Sequence, residues 1–214
     1  MTSTSRKVLL LDVCHTLYSS NTTFDFLAWY LPNDVELGAL LKRRQSIFNR
    51  VAARLGFKDN IREQAIKCLT GIKRADLDAA AKEFVATLTP IQEVMDKLNE
   101  FRTQGYKPVL LSSSLDFLVA AIAELLDIKT MHATTLGYRD SECLGTITAD
   151  LLNTKANIVV ADYASFDTIF ITDNHTDLPC AQEVKRFIAV YHNEDSRSAA
   201  FWRRNGIRNT LTYV

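Results

Sequence analysis

A chain of 214 residues with 25 basic and 25 acidic side chains has no net formal charge, which argues against the electrostatic steering that nucleic-acid and anionic-membrane binders rely on. Its apolar content (47%) suffices for one substantial core, while four cysteines with no CxxC pair argue against a disulfide framework or a structural zinc site. The opening MTSTSRK lacks the apolar run of a secretory signal, and the longest apolar stretch, 117–123, is too short to span a membrane and runs into Glu124, so the expected compartment is the reducing cytoplasm.

The run Val8–Leu11 is apolar and stops abruptly at Asp12, the pattern of a fully buried strand with a carboxylate at its carboxyl end. From Asn21 to about Pro90 the pattern is helical. Leu37, Leu40, Leu41, Ile47, Phe48, Val51 and Leu55 recur at three- and four-residue spacing. Ile61, Ala65, Ile66 and Leu69 continue that period to a stop at Gly71, and Asp76 is placed to cap a third helix carrying Leu77, Phe84, Val85 and Leu88. Roughly seventy residues is too long for an ordinary connection, so this block reads as an insertion.

Beyond Pro90 strand and helix alternate. The pattern predicts a helix over 91–101 stopped by Gly105, a strand over 107–111 ending in three serines, and a helix over 116–126. A strand pair or irregular excursion follows over 130–149, then a helix over 153–163, a strand over 168–171, a helix over 178–184, a strand over 187–191 and a helix over 199–205. Such alternation predicts an α/β fold with a doubly wound, Rossmann-like parallel sheet covered on both faces. The expected division is an α/β core domain of residues 1–19 and 90–214 with an all-helical cap domain of residues 20–89.

Four polar clusters fall at strand or helix ends. Asp12-Val13-Cys14-His15-Thr16 follows the first strand, at the edge where open α/β sheets bind ligands, and an aspartate there can attack a phosphoryl group. Ser112, Ser113 and Ser114 offer hydroxyls and backbone N–H groups at a helix entrance, which suit an anion. Lys155 supplies a fixed positive charge. Thr172-Asp173-Asn174-His175-Thr176-Asp177 again follows a buried strand. Asp12 and Asp173 together are the hard oxygen donors that Mg²⁺ prefers, and a carboxylate attacking a phosphoryl group needs such neutralisation.

The ordered set strand-Asp, strand-Ser, Lys, strand-Asp-x3-Asp resembles the haloacid dehalogenase-like superfamily, most closely its phosphoserine-phosphatase-like branch, which carries a helical cap between its first two motifs. DVCHTL matches that family's DxDxT except at Cys14. LLSSSLDFLVAAIAELLDI matches the second motif and its helix, LGTIT with LysAlaAsn leads to the lysine, and ITDNHTDLPCAQEV is similar to the acidic motif. The resemblance implies a Mg²⁺-dependent phosphohydrolase acting on a small phosphorylated metabolite through an aspartyl-phosphate on Asp12. It implies that Ser112 hydrogen-bonds the phosphoryl group, with Ser113, Ser114 and Asn174 helping to bind phosphate and substrate. Lys155 would pair with Asp12. Asp173 would ligate the metal, as would the Cys14 backbone carbonyl, and Asp177 would hold Lys155 or a metal-bound water.

Position 14 is where the chain departs from the pattern. The family places a carboxyl there as acid for the leaving group and base for the hydrolytic water, whereas a thiol is a possible donor and a poor base. Weakened turnover is expected, with a catalytically impaired relative that binds a phosphorylated metabolite or protein partner, or a phosphotransferase, as the alternatives. His15 has the pKa for a substitute acid–base, but in an extended chain it points away from Asp12. His175 has a similar claim, or else merely lines the pocket. Residues 23–31 read as helix core more than as pocket, and Lys42, Arg43, Arg44, Arg50 and Arg54 as the wet face of a helix.

Overall fold

The structure, a computed structural model, describes residues 6–45 and 60–214. Expectations resting on Ile47, Phe48, Arg50, Val51, Arg54 and Leu55 lie outside the described residues. Strand β1 (Lys7–Leu11) occupies the middle of a seven-stranded sheet. Its other strands are β2 (Lys107–Leu115), β3 (Thr130–Arg139), β4 (Glu142–Ala149), β5 (Asp167–Thr172), β6 (Arg186–His192) and β7 (Thr210–Tyr213). Their spatial order is β4-β3-β2-β1-β5-β6-β7, and every pairing is parallel except β3 with β4.

The chain builds one half of the sheet outward from β1 through β2 and β3, then crosses back to lay β5, β6 and β7 on the other side of β1. The reversal leaves a crevice between β1 and β5 at their carboxyl ends, the switch point where open α/β sheets take their ligands.

Successive β1 residues face opposite sides, and both sides are apolar. Leu9 and Leu11 join one apolar cluster with Leu110, Ile169 and Ile188, while Val8 and Leu10 join a second with Val109, Leu111, Phe170 and Phe187.

Helices α1 (Thr22–Tyr30), α2 (Val35–Gln45), α3 (Ile61–Lys67) and α4 (Arg74–Val85) form the helical stretch between β1 and the rest of the core. Its buried side chains belong to the first of the two clusters: Phe26, Leu27, Leu37, Ile66, Leu77 and Phe84 are continuous with Leu9 and Leu11. Phe26 is the hub of the junction, with ring centroids 5.5 Å from Phe84 and 5.2 Å from Phe117, both edge-on. Such pairs add roughly 0.5–1.5 kcal/mol each beyond the area they bury.

The remaining helices are α5 (Gln92–Thr103), α6 (Asp116–Leu125), α7 (Lys155–Ile158), which runs on into a π-helical turn over Val159–Tyr163, and α8 (Ser196–Arg204). Gly105, at φ +85°, ends α5 in the left-handed region where a side chain is strained.

Several local expectations change. Asp76 does not cap α4, which begins at Arg74 after Lys73 and carries Asp76 in its first turn. The serines continue β2 to Leu115, and the register against β3 shifts between Leu111 and Leu115. Residues 130–149 form a regular hairpin, β3 with β4, turning through Asp140 and Ser141 at positive φ. The helix expected over 178–184 is a 3₁₀ helix over His175–Gln182 containing Pro179, which cannot donate a backbone hydrogen bond. Strand β7, TLTY, has no sequence counterpart among the predicted elements: four residues, half of them threonine, give too short a signal.

Candidate active site

The crevice brings together residues more than 150 positions apart. The Asp12 N–H donates to the Ile171 carbonyl at 3.0 Å, extending the β1–β5 ladder by one rung and fixing where the Asp12 carboxylate leaves the sheet. Across the seam, Thr16 Oγ1 donates to Asp173 Oδ1 at 3.0 Å and accepts from the Asp173 N–H at 2.9 Å, which locks the loop after β1 to the loop after β5.

Beneath lies a buried ionic trio. Lys155 Nζ donates to Asp12 Oδ2 at 2.9 Å and to Asp177 Oδ2 at 2.8 Å, and all three side chains are almost wholly shielded from water. Thr172 Oγ1 donates to Asp177 Oδ2 at 2.7 Å and accepts the Asn174 N–H at 3.1 Å, and the Val13 N–H donates to Asp12 Oδ1 at 2.7 Å. Burial alone disfavours an ammonium ion, but the two carboxylates outweigh it and hold Lys155 more firmly protonated than an ordinary lysine. Removing Lys155 leaves two buried carboxylates uncompensated.

Above the trio is a cavity of about 330 Å³, lined by Asp12, Cys14, Ser113, Ser114, Asp173 and Asn174 from the strand ends and by Asn21, Thr23, Phe24 and Arg62 from the helical stretch. Asn174 caps the 3₁₀ helix with Oδ1, which accepts from the Thr176 N–H at 3.1 Å. Asp177 is not among the lining residues; its Oδ2 is taken by Lys155 and Thr172. Ser112, expected to touch the phosphoryl group, is fully buried outside the lining, and its hydroxyl accepts the Ser114 N–H at 3.3 Å. Because β2 runs on to Leu115, the serines that reach the cavity are the next two.

The Cys14 thiol sits 3.1 Å from both Thr22 Oγ1 and Ser114 Oγ, and those two hydroxyls also contact each other. Burial first, and the Asp12 charge second, push the thiol above its ordinary pKa. It therefore stays protonated at neutral pH.

The alternation argument that aimed His15 away from Asp12 fails, since the backbone turns at His15. His15 adopts φ +50°, and this turn brings it to the same cavity as Asp12 and Cys14. His175 goes elsewhere: its ring stacks on Phe201 at 3.8 Å and its Nε2 pairs with Ser198 Oγ at 3.1 Å, so it neither lines the cavity nor reaches the acidic groups. Phe24, Phe26 and Leu27 belong to the first apolar cluster, as the helix-core reading has it, and Thr23 and Phe24 also form part of the cavity wall. Lys42 and Arg43 are exposed as expected, but the Arg44 guanidinium lies 4.1 Å from the centroid of the Phe24 ring.

Arg62 was not foreseen. A lone arginine beside an apolar stripe gives no local signal, and its partners, Ser113, Thr134 and Asp150, are 51 or more residues away.

The model of haloacid dehalogenase-like hydrolases matches residues 9–182. The chain belongs to that family. No curated protein matches it by sequence. Its haloacid dehalogenase-like fold is shared with solved structures of low sequence identity. A Bordetella pertussis Tohama I protein described as of unknown function aligns with a TM-score of 0.74 at 21% identity, covering 97% of this chain and 99% of that one. A HAD family hydrolase from Salmonella enterica serovar Typhi aligns at 0.70 and 18% identity, covering 97% and 68%. A phosphoserine phosphatase described as a phospho-aspartyl intermediate analogue aligns at 0.63 and 21% identity, covering 87% of each chain. Among the described residues, no helix is long and apolar enough to cross a membrane.

Members of such a family call for a divalent cation, and the residues here fit one. Asp12 and Asp173 line the same cavity. Loss of water and, next, the neighbouring Asp12 charge push the Asp173 carboxyl well above the usual carboxylate range, against the opposing pull of the Thr16 hydroxyl and Lys155. A divalent ion held by these two carboxylates would relieve that repulsion. Among the described residues no three His, Cys, Asp or Glu side chains converge on one point. Mg²⁺ does not require three, since it commonly takes one or two carboxylates and completes its shell with water and phosphate.

Proposed function

We propose that the protein is a Mg²⁺-dependent phosphohydrolase acting on a small phosphomonoester through an aspartyl-phosphate on Asp12, with turnover limited by Cys14. The observation that carries this reading is the Asp12–Lys155–Asp177 trio lying directly under a cavity that Asp173 also lines. Residues 20–89 act as the cap that supplies the cavity's outer wall.

The chain's own groups divide the work. Val13 N–H and Lys155 orient the Asp12 carboxylate, so it is held ready to attack. An Asp12 oxygen bonds to phosphorus as the ester P–O bond breaks, and the departing alkoxide takes a proton from the Cys14 thiol. Ser113 and Ser114 line the cavity wall, where their hydroxyls would receive phosphoryl oxygens. Water then attacks the aspartyl-phosphate, releasing inorganic phosphate and free Asp12, and its proton restores the thiol. A bound divalent ion supplies neutralisation of the phosphoryl charge.

The second step is the slow one, since a thiolate formed beside Asp12 is strongly basic but short-lived and a neutral thiol accepts no proton. That same thiol favours the second reading, a relative that binds a phosphorylated metabolite and scarcely turns it over. A phosphate-release screen over a panel of phosphomonoesters with Mg²⁺, run on wild type and Asp12→Asn, separates the two. Wild-type activity lost in Asp12→Asn and in EDTA supports the enzyme. Equal release from both proteins on every compound rejects it.

A further inference from the structure

We propose that Asp150 is the positioning residue of the cavity: it holds the Arg62 guanidinium at the cavity wall and thereby fastens the helical stretch to the turn that delivers Lys155. Arg62 Nη1 donates to Asp150 Oδ1 at 3.0 Å and Oδ2 at 2.9 Å, and Nη2 donates to the Ser113 carbonyl at 2.7 Å and Thr134 Oγ1 at 3.0 Å. One side chain from α3 thus grips the end of β2, the middle of β3 and the residue after β4. The planar fork of arginine permits this; a lysine ammonium has no comparable geometry.

Asp150 does a second job. Its Oδ1 also accepts from Thr134 Oγ1 and from the Leu152 N–H, each at 3.0 Å, while its carbonyl accepts from Thr154 Oγ1 at 2.8 Å. These bonds shape the tight turn through Asn153, at φ +63°, and Lys155 is the first residue of the helix beyond. Arg62 is mostly buried, with its side chain 15% exposed, whereas Asp150 at 38% sits on the outer side of the pair. Asp150 therefore draws the guanidinium outward. Without it, the guanidinium faces a cavity that Asp12 and Asp173 also line, and an arginine turned toward them occupies the space meant for substrate.

The inference rests on the phosphatase reading, and two substitutions separate the two jobs. Asp150→Asn removes the charge pair but keeps an oxygen for the turn, so KM for p-nitrophenyl phosphate with Mg²⁺ rises about tenfold while kcat stays within about twofold. Asp150→Ala removes both, and kcat falls as well because Lys155 loses its footing. In an Arg62→Ala background, Asp150→Asn adds no further loss. A drop in kcat at constant KM for Asp150→Asn, or penalties that multiply in the double variant, overturns the proposal. Hydrogen exchange gives an assay independent of turnover: α3 amides exchange faster in Asp150→Asn. Unchanged α3 exchange overturns the fastening role even if Asp12→Asn shows that the protein is no phosphatase.

Discussion

The floor and the outer wall of the cavity are built on different principles. The floor, Asp12 with Lys155 and Asp177, comes from the end of one strand and the first turns of two helices, is almost entirely dry, and uses each charged group against another. The wall, Asn21, Thr23, Phe24 and Arg62, comes from α1 and α3, and its cation is anchored by a half-exposed carboxylate. Chemistry placed on strand ends inherits the rigidity of a parallel sheet. Selectivity placed on helices can change without disturbing it, so damage to the floor should be severe and damage to the wall graded.

The harshest test of that contrast is Lys155→Met, which leaves two buried carboxylates facing each other. It should cost about 3–5 kcal/mol of stability by urea unfolding and lower activity about a hundred- to thousandfold. A fully stable Lys155→Met protein with normal turnover contradicts the account of the floor. Cys14→Asp comes next, and it should raise turnover roughly ten- to a hundredfold by supplying a carboxyl that works as both acid and base. Steady-state kinetics showing no gain means that the second step is not limited by the missing base.

On the wall, Phe24→Leu should re-rank the phosphomonoester panel, shifting the kcat/KM ratio between bulky and small substrates by roughly tenfold. An unchanged ranking removes Phe24 from substrate selection. The smallest effect belongs to His175→Ala, which loses the stack on Phe201 and about 1 kcal/mol in thermal unfolding without altering kcat. A change in its pH–rate profile instead puts the imidazole back among the working groups.

The sequence is legible where its signal is local. Val8–Leu11 and Ile169–Ile171 are short apolar runs closed by Asp12 and by Thr172-Asp173, and the βαβ alternation tells which strand ends share an edge. Ser112 misled because a buried strand that continues through polar residues looks the same as one that stops before them. His15 misled because one residue at positive φ cancels the two-residue alternation that placed it. Arg62 was invisible for a deeper reason. Its role exists only in contacts with Ser113, Thr134 and Asp150, none of which its neighbours in the chain announce.

Because β1 is apolar on both faces, sliding it by one residue would bury as much oil as before, and hydrophobicity alone gives no reason to choose between alignments. What distinguishes the native alignment is that it delivers Asp12 to the ammonium of Lys155 and the carbonyl of Ile171. The Asp12–Lys155 contact is thus the vernier mark against which the central strand is set.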